Sequence, residues 1–297
     1  MRTAVLAAAL TFALAGCATT ATTTPAPSPA PDAAPAAQDP PADDNLNAVA
    51  WYQAAVERDL VYRTVYRAAG ERLRAALADK AWDALPKEDR VQPAKGLPPA
   101  IIVDVDETVL DNAPSQVRQI RERRGFDEAA WGAWVSERKA KALPGAAEFL
   151  GAAAKQGVTV FYITNRDASL TEATIANLRS AGFPVADDAQ VLGLGTVVEG
   201  CEQEGSEKSC RRQWVGRSHR VLMQFGDQVG DFVQILANTP VGRRDVVAPY
   251  LDWIGERWFV LPNPTYGSWE PALFGNDWRQ PEAERRARKE AALDDGK

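Results

Sequence analysis

The chain has 297 residues, 45% of them hydrophobic and 25% charged, enough to bury a core and too polar for a membrane-embedded body. Its 40 acidic residues against 34 basic ones give a formal charge of −6 with no basic tract, which argues against nucleic-acid polymers as partners. A single histidine, His219, excludes a histidine-built metal centre and a histidine nucleophile in an Arg-His-Gly motif.

The first residues read as an export signal. Met1-Arg2 is a short basic start, and Ala4 to Leu14 form an apolar run too short to span a bilayer. The run closes on Leu14-Ala15-Gly16-Cys17, which resembles the bacterial lipobox, where the cysteine is acylated and becomes the new N-terminus. Residues 1–16 are therefore expected to be a signal peptide and Cys17 a lipidation site; a plain secretory signal with an incidental cysteine is the alternative. Ala18 rather than Asp follows the cysteine, so the expected destination is the outer membrane, facing the periplasm or the cell surface. Residues 17–44 are mostly Thr, Ala and Pro and are expected to form a disordered tether. Cys201 and Cys210 remain as an even pair in a polar segment, and an oxidising compartment predicts a surface disulfide between them.

One folded domain is expected over 45–297. Val49, Tyr52, Val56, Leu60, Tyr66, Leu73 and Leu77 predict a long helix over 46–78 within an N-terminal helical region, 46–80; Gly70 weakens the helix and could divide it. After the breaker run Gly96-Leu97-Pro98-Pro99, Ile101, Ile102 and Val103 predict a buried strand over 101–105. Residues 113–143, with Trp131 and Trp134, are not strand-like and predict a small helical insertion overhanging that strand's end. Pro144-Gly145 opens an Ala-rich helix that ends at Gly157. Val158 to Ile163 is a second buried strand, and Ser169 to Ala181 a helix stopped by Gly182. Gln190 to Leu194, Val221 to Phe225 and Trp258 to Leu261 are further strands, and 279–297 is a peripheral helix or frayed tail. Strands alternating with helices imply an α/β fold with a doubly wound parallel sheet.

The strand ends carry the chemistry. Asp104 and Asp106 are two residues apart in extended chain, so both carboxylates are expected to face one small volume where open α/β sheets place their sites. Two adjacent anions require a cation, a shared proton, or both, and Mg²⁺ suits oxygen ligands. The second strand runs into Thr164-Asn165-Arg166, and the strand at 221–225 into Gly226-Asp227 and Asp231, with Lys208 lying between. Neither cysteine starts a Cys-x₅-Arg loop, so a phosphatase on this pattern needs a carboxylate nucleophile.

In this order, these features resemble the four motifs of the haloacid dehalogenase (HAD) superfamily of phosphotransferases. The longer strings Asp104 to Asn112, Tyr162 to Arg166, Gly226-Asp227 with Asp231-Phe232, and Leu261-Pro262-Asn263 with Tyr266-Gly267 resemble the bacterial class C acid phosphatases, typified by lipoprotein e. The resemblance covers about 46–275, and the segment from Cys201 to Cys210 departs from it. It implies Mg²⁺ held by the Asp104 carboxylate, the Asp106 backbone carbonyl and Asp227, with Asp231 acting through water. It also implies Asp104 as nucleophile and Asp106 as acid and then base, which favours activity below neutral pH. Lys208 and Thr164 would stabilise the transferred oxygens, with Asn165 beside them, while Trp131 and Tyr266 bracket the leaving group of substrates such as nucleoside 5′-monophosphates. The alternatives are a broad sugar or aryl phosphatase, a phosphotransferase, or a surface binding lipoprotein that keeps the fold without turnover.

Overall fold

A computed structural model describes residues 44–296; the export signal, Cys17 and the tether up to residue 43 lie outside the described residues. The chain opens with α1 (Leu46–Ala54) and α2 (Val56–Ala78). The expected single helix breaks at Ala55, which is extended at φ −78° and ψ 124°, and not at Gly70, which lies within α2. Burial of Tyr66, Ala69 and Leu73 around Gly70 outweighs the roughly 1 kcal/mol that glycine costs a helix. The break folds Tyr52 onto Tyr62, with hydroxyls 2.6 Å apart and rings at 90°. Arg58 lies 4.5 Å over the Tyr52 ring and pairs with Asp111, which ties this region to the loop after the first strand.

Next come β1 (Pro99–Val103), β2 (Leu110–Asp111), α3 (Ala113–Glu122), α4 (Glu128–Ser136), β3 (Lys141–Ala142) and α5 (Ala146–Lys155). The chain continues through β4 (Thr159–Asp167), α6 (Thr171–Ser180), β5 (Val191–Leu194), α7 (Ser209–Ser218) and β6 (Arg220–Gly226). It closes with α8 (Pro240–Val247), β7 (Trp258–Val260) and α9 (Glu282–Ala291). The main sheet has the order β5-β4-β1-β6-β7, and every pairing in it is parallel. Winding runs from β1 outward through β4 to β5, then returns to the other side for β6 and β7. The crevice of a doubly wound sheet therefore opens at the C-terminal ends of β1 and β6.

The strands are apolar along both faces because helices cover both. On one face Tyr66 of α2 stacks on Phe225, which stacks on Phe259, at centroid distances of 5.3 and 4.9 Å. On the other, Trp258 packs against Phe232 and Tyr250. The insertion is helical as expected, but β2 and β3 pair antiparallel at its base (Leu110 with Ala142, Asp111 with Lys141) and form a short stem. A two-residue ladder is too short for alternation to mark it in the sequence. Asp127 caps α4, accepting from the Ala130 amide at 2.8 Å. Among the described residues no helix is long and apolar enough to cross a membrane.

Candidate active site

β1 ends at Val103, two residues before the expected 105. The Asp104 amide still donates to the Phe225 carbonyl of β6 at 2.9 Å, so Asp104 keeps its place at the sheet edge while the chain turns over 105–109. The Val109 and Leu110 amides both return to the Val105 carbonyl and close the turn. At its apex Glu107 takes φ 55°, a left-handed conformation that costs a non-glycine residue about 1 kcal/mol or more. Hydroxyls from α2 brace it: Tyr62 donates to the Glu107 carbonyl, and Tyr66 to the Thr108 carbonyl at 2.7 Å. The buried Glu107 carboxylate accepts from the Asn112 amide at 2.7 Å and from the Tyr266 hydroxyl.

Lys208 caps α7 and reaches back under the strand ends. Its Nζ donates to Asp104 at 2.5 Å and to Asp231 at 2.7 Å, and Thr108 Oγ1 donates to the other Asp104 oxygen at 3.0 Å. The Asp231 side chain packs against the backbone at Gly226, where a Cβ would lie 2.3 Å from it; only glycine fits that position. Asp227 accepts from Gln228 and Asn263 side chains at 2.9 and 2.8 Å. Oxygens of Asp104, Asp227 and Asp231 lie within 4.8 Å of one another. Three carboxylates around one ammonium leave a buried excess of negative charge. Burial, then repulsion from Asp231 and Asp106 against the pull of Lys208, pushes Asp104 up to about 7. Burial and the charges of Asp231 and Asp104 likewise hold Asp227 well above the ordinary range. Burial opposes the charge on Lys208, but its two carboxylate partners outweigh that and raise its pKa. Clustered oxygen donors with uncompensated charge fit a hard divalent cation.

Asp106 departs from the expectation that both carboxylates share one volume. The turn begins at residue 105, so strand alternation no longer applies, and the Asp106 side chain swings toward β4. There Arg166 Nε donates to Oδ1 at 2.9 Å, its Nη2 completes an ion pair with Oδ1 at 2.8 Å, and Thr164 Oγ1 lies 3.2 Å from Oδ2. Asn112 Nδ2 adds a second hydrogen bond to Oδ1 at 2.8 Å. Asp106 thus sits beside the three-carboxylate cluster, not in it.

The remaining predicted residues line the rim. Asn165 is exposed at the end of β4, and its side-chain oxygen accepts from the buried Arg211 at 2.7 Å. Arg211 also donates to the Thr164 carbonyl at 2.5 Å, so α7 supplies both Lys208 and the clamp on β4. Trp131, on α4, lies over the Arg166 guanidinium at 5.7 Å from the ring centroid. Tyr266 is held by its hydroxyl on Glu107. Cys201 and Cys210 are joined in a disulfide, closing the loop that contains Lys208. The sequence reading assigned no role to Arg166, Asn112, Glu107 or Arg211. Arg166 had a usable signal: β4 continues to Asp167, so Thr164 and Arg166, two apart, share its buried face. Arg211 carried none, being one basic residue among several at a helix start.

The family model described as HAD superfamily, subfamily IIIB (Acid phosphatase) matches residues 39–269. Two solved structures of the class C acid phosphatase from Bacillus anthracis, one with tungstate bound, are each 31% identical with a TM-score of 0.73. They cover 85% of this chain and 98% of theirs. Acid phosphatase 1 of Solanum lycopersicum is 28% identical over 165 residues, 56% of this chain and 57% of that protein, so the chain spans little more than half of this relative's length. With its parallel sheet, its carboxylates at the ends of β1 and β6 and Lys208 between them, the chain belongs to subfamily IIIB of the HAD superfamily, the acid phosphatases.

Proposed function

We propose that the chain hydrolyses phosphate monoesters, nucleoside 5′-monophosphates among them, through a phosphoryl group carried on Asp104. The observation that carries this reading is the contact of Lys208 Nζ with Asp104 and Asp231. It holds a carboxylate oxygen at the sheet edge beside a buried ammonium, where an incoming dianion can be met. Asp104, Asp227 and the Asp106 carbonyl would hold Mg²⁺, with Asp231 behind them, and the ion would supply charge neutralisation at the phosphoryl oxygens. Tungstate bound to a class C relative, an oxyanion of phosphate-like shape, supports an oxyanion site in this fold.

The residues then divide the work. An Asp104 oxygen attacks phosphorus, and the bond to the leaving oxygen breaks with its electron pair going to that oxygen. Asp106 delivers the proton that neutralises it and becomes a carboxylate. Asp106 next takes a proton from water as the water oxygen attacks phosphorus; the phosphorus–Asp104 bond breaks and both carboxyl groups return to their starting states. Thr164 and Lys208 hold the transferred oxygens through the transfer, and Asn165 stands at the edge of that set. Trp131 and Tyr266 would bracket a flat leaving group, Trp131 resting on the Arg166 guanidinium and Tyr266 held by its hydroxyl on Glu107. A phosphate-release screen over nucleoside monophosphates, sugar phosphates and aryl phosphates, with and without EDTA, tests the reading. Release that is absent from all of them, or indifferent to EDTA, sinks it. The sequence around Cys17 supports an outer-membrane lipoprotein, which labelling with radioactive palmitate in wild type and Cys17→Ser cells would test.

A further inference from the structure

We propose that Asn112 and Arg166 are positioning residues that decide which oxygen of Asp106 handles the proton. The inference rests on the reading of Asp106 as the acid and base. Two hydrogen bonds converge on Oδ1, from Arg166 Nε at 2.9 Å and Asn112 Nδ2 at 2.8 Å, with Arg166 Nη2 ion-paired at 2.8 Å. Among the described residues, the one hydrogen bond to Oδ2 comes from Thr164 Oγ1 at 3.2 Å. An oxygen whose two lone pairs already accept two hydrogen bonds has none left to carry a proton. Oδ2 is therefore the oxygen free to exchange a proton with a bound substrate or water.

The arrangement is over-determined. The Asn112 side-chain oxygen accepts from Trp134 Nε1 at 2.8 Å and from Arg166 Nη2 at 3.2 Å. Both are pure donors, so a flipped amide would set two N–H groups against them, and Nδ2 is forced toward Asp106. Asn112, Arg166 and Trp134 are 1%, 2% and 4% exposed, which leaves no room for water to substitute for any of them. Trp134 belongs to α4, the helix that also places Trp131 against the Arg166 guanidinium. The insertion therefore does more than roof the site: through Asn112 it orients the acid. In the first step the Oδ2–H bond breaks as the leaving oxygen gains the proton, with Oδ1 unchanged in its donor cage. In the second, Oδ2 takes a proton from the attacking water.

The test is kcat/KM over monoesters whose leaving groups run from p-nitrophenol through phenol to glycerol, for wild type, Asp106→Asn, Asn112→Ala and Trp134→Phe. A misplaced acid matters most where the leaving group needs the proton most. Asn112→Ala is expected to lose about tenfold more on glycerol phosphate than on p-nitrophenyl phosphate, in the same direction as Asp106→Asn. Trp134→Phe, which keeps the ring and deletes only the N–H, is expected to show a smaller discrimination of the same sign, and it covers the case in which Asn112→Ala does not fold. Equal losses across the series in Asn112→Ala and Trp134→Phe, with discrimination in Asp106→Asn, would overturn the positioning role alone. No discrimination in Asp106→Asn would overturn it together with the acid–base reading.

Discussion

Charge is held in two ways in this molecule. Lys208 bridges Asp104 and Asp231 with all three side chains 5–7% exposed, whereas on the insertion Arg118 and Lys139 meet Glu137 with side chains 28–69% exposed. The exposed trio holds the Glu137 carboxyl down to about 2, chiefly through the Arg118 hydrogen bond and then that of Lys139, yet water already solvates each partner. At the buried site water is scarce, and with Asp227 added the anions outnumber the lysine three to one. Burial first, and the repulsion among these anions after it, pushes Asp104 up to about 7, and the imbalance asks for a further cation. A similar density of charge is therefore a surface in one place and a functional centre in the other, and burial separates them.

The contrast is broken most severely at Asp104. Asp104→Asn should lower kcat by at least about 10³-fold while leaving the fold intact, checked by steady-state turnover and thermal unfolding. Lys208→Met comes next. It removes the ammonium that contacts both Asp104 and Asp231, so kcat should fall about 10²-fold or more. Near neutral pH, stability should also drop by about 3–5 kcal/mol, the usual cost of stranding a buried charge. Full activity in that variant would mean that Lys208 is only a helix cap.

The aromatic rim should give an intermediate effect confined to one substrate class. In Trp131→Ala with Tyr266→Ala, kcat/KM for AMP should fall by about 1–3 kcal/mol per stack and that for glycerol phosphate scarcely at all. A parallel drop on both would make the two rings structural. The metal-free protein offers a further test through pH. Asp104 and Asp227 have raised folded-state pKa values, so the folded state binds protons more tightly than the unfolded one. The contribution of Asp104 is fully present below the ordinary carboxylate range near 4 and is lost as pH rises through about 7, and that of Asp227 is lost as pH rises well above that range. Mg²⁺ competes with those protons, so its stabilisation should grow over the same window. The rise in Tm on adding Mg²⁺ should be larger at pH 7 than at pH 5; an equal rise at both would contradict the charge imbalance. Smallest of all, Arg118→Ala should leave kcat unchanged and move Tm only slightly, because its partner stays hydrated.

Much of this was legible in the sequence. Runs of β-branched and other apolar residues marked β1, β4 and β6, and their polar exits marked Asp104, Thr164 and Asp227. What escaped was set by tertiary contact. The break at Ala55 has no local signal; it exists because Tyr52 folds onto Tyr62. The turn of Asp106 away from the cluster depends on Arg166 waiting on β4, two strands being brought together only by folding. Glu107 at φ 55° is an unpromising residue for that conformation, and only the tyrosines of α2 explain it. Asp104 can be read from one strand end, but the residues that hold Asp106 come from three elements.

The central claim is that the phosphoryl group passes through Asp104. Asp106→Asn can still expel p-nitrophenolate, which needs little protonation, but lacks the base for the second step. Mixed rapidly with p-nitrophenyl phosphate, it should release one equivalent of p-nitrophenolate per enzyme ahead of inorganic phosphate. Peptide mass spectrometry of the quenched protein should then find a phosphoryl group on Asp104. Phosphate released in step with p-nitrophenolate, or a phosphoryl group on any other residue, would contradict it.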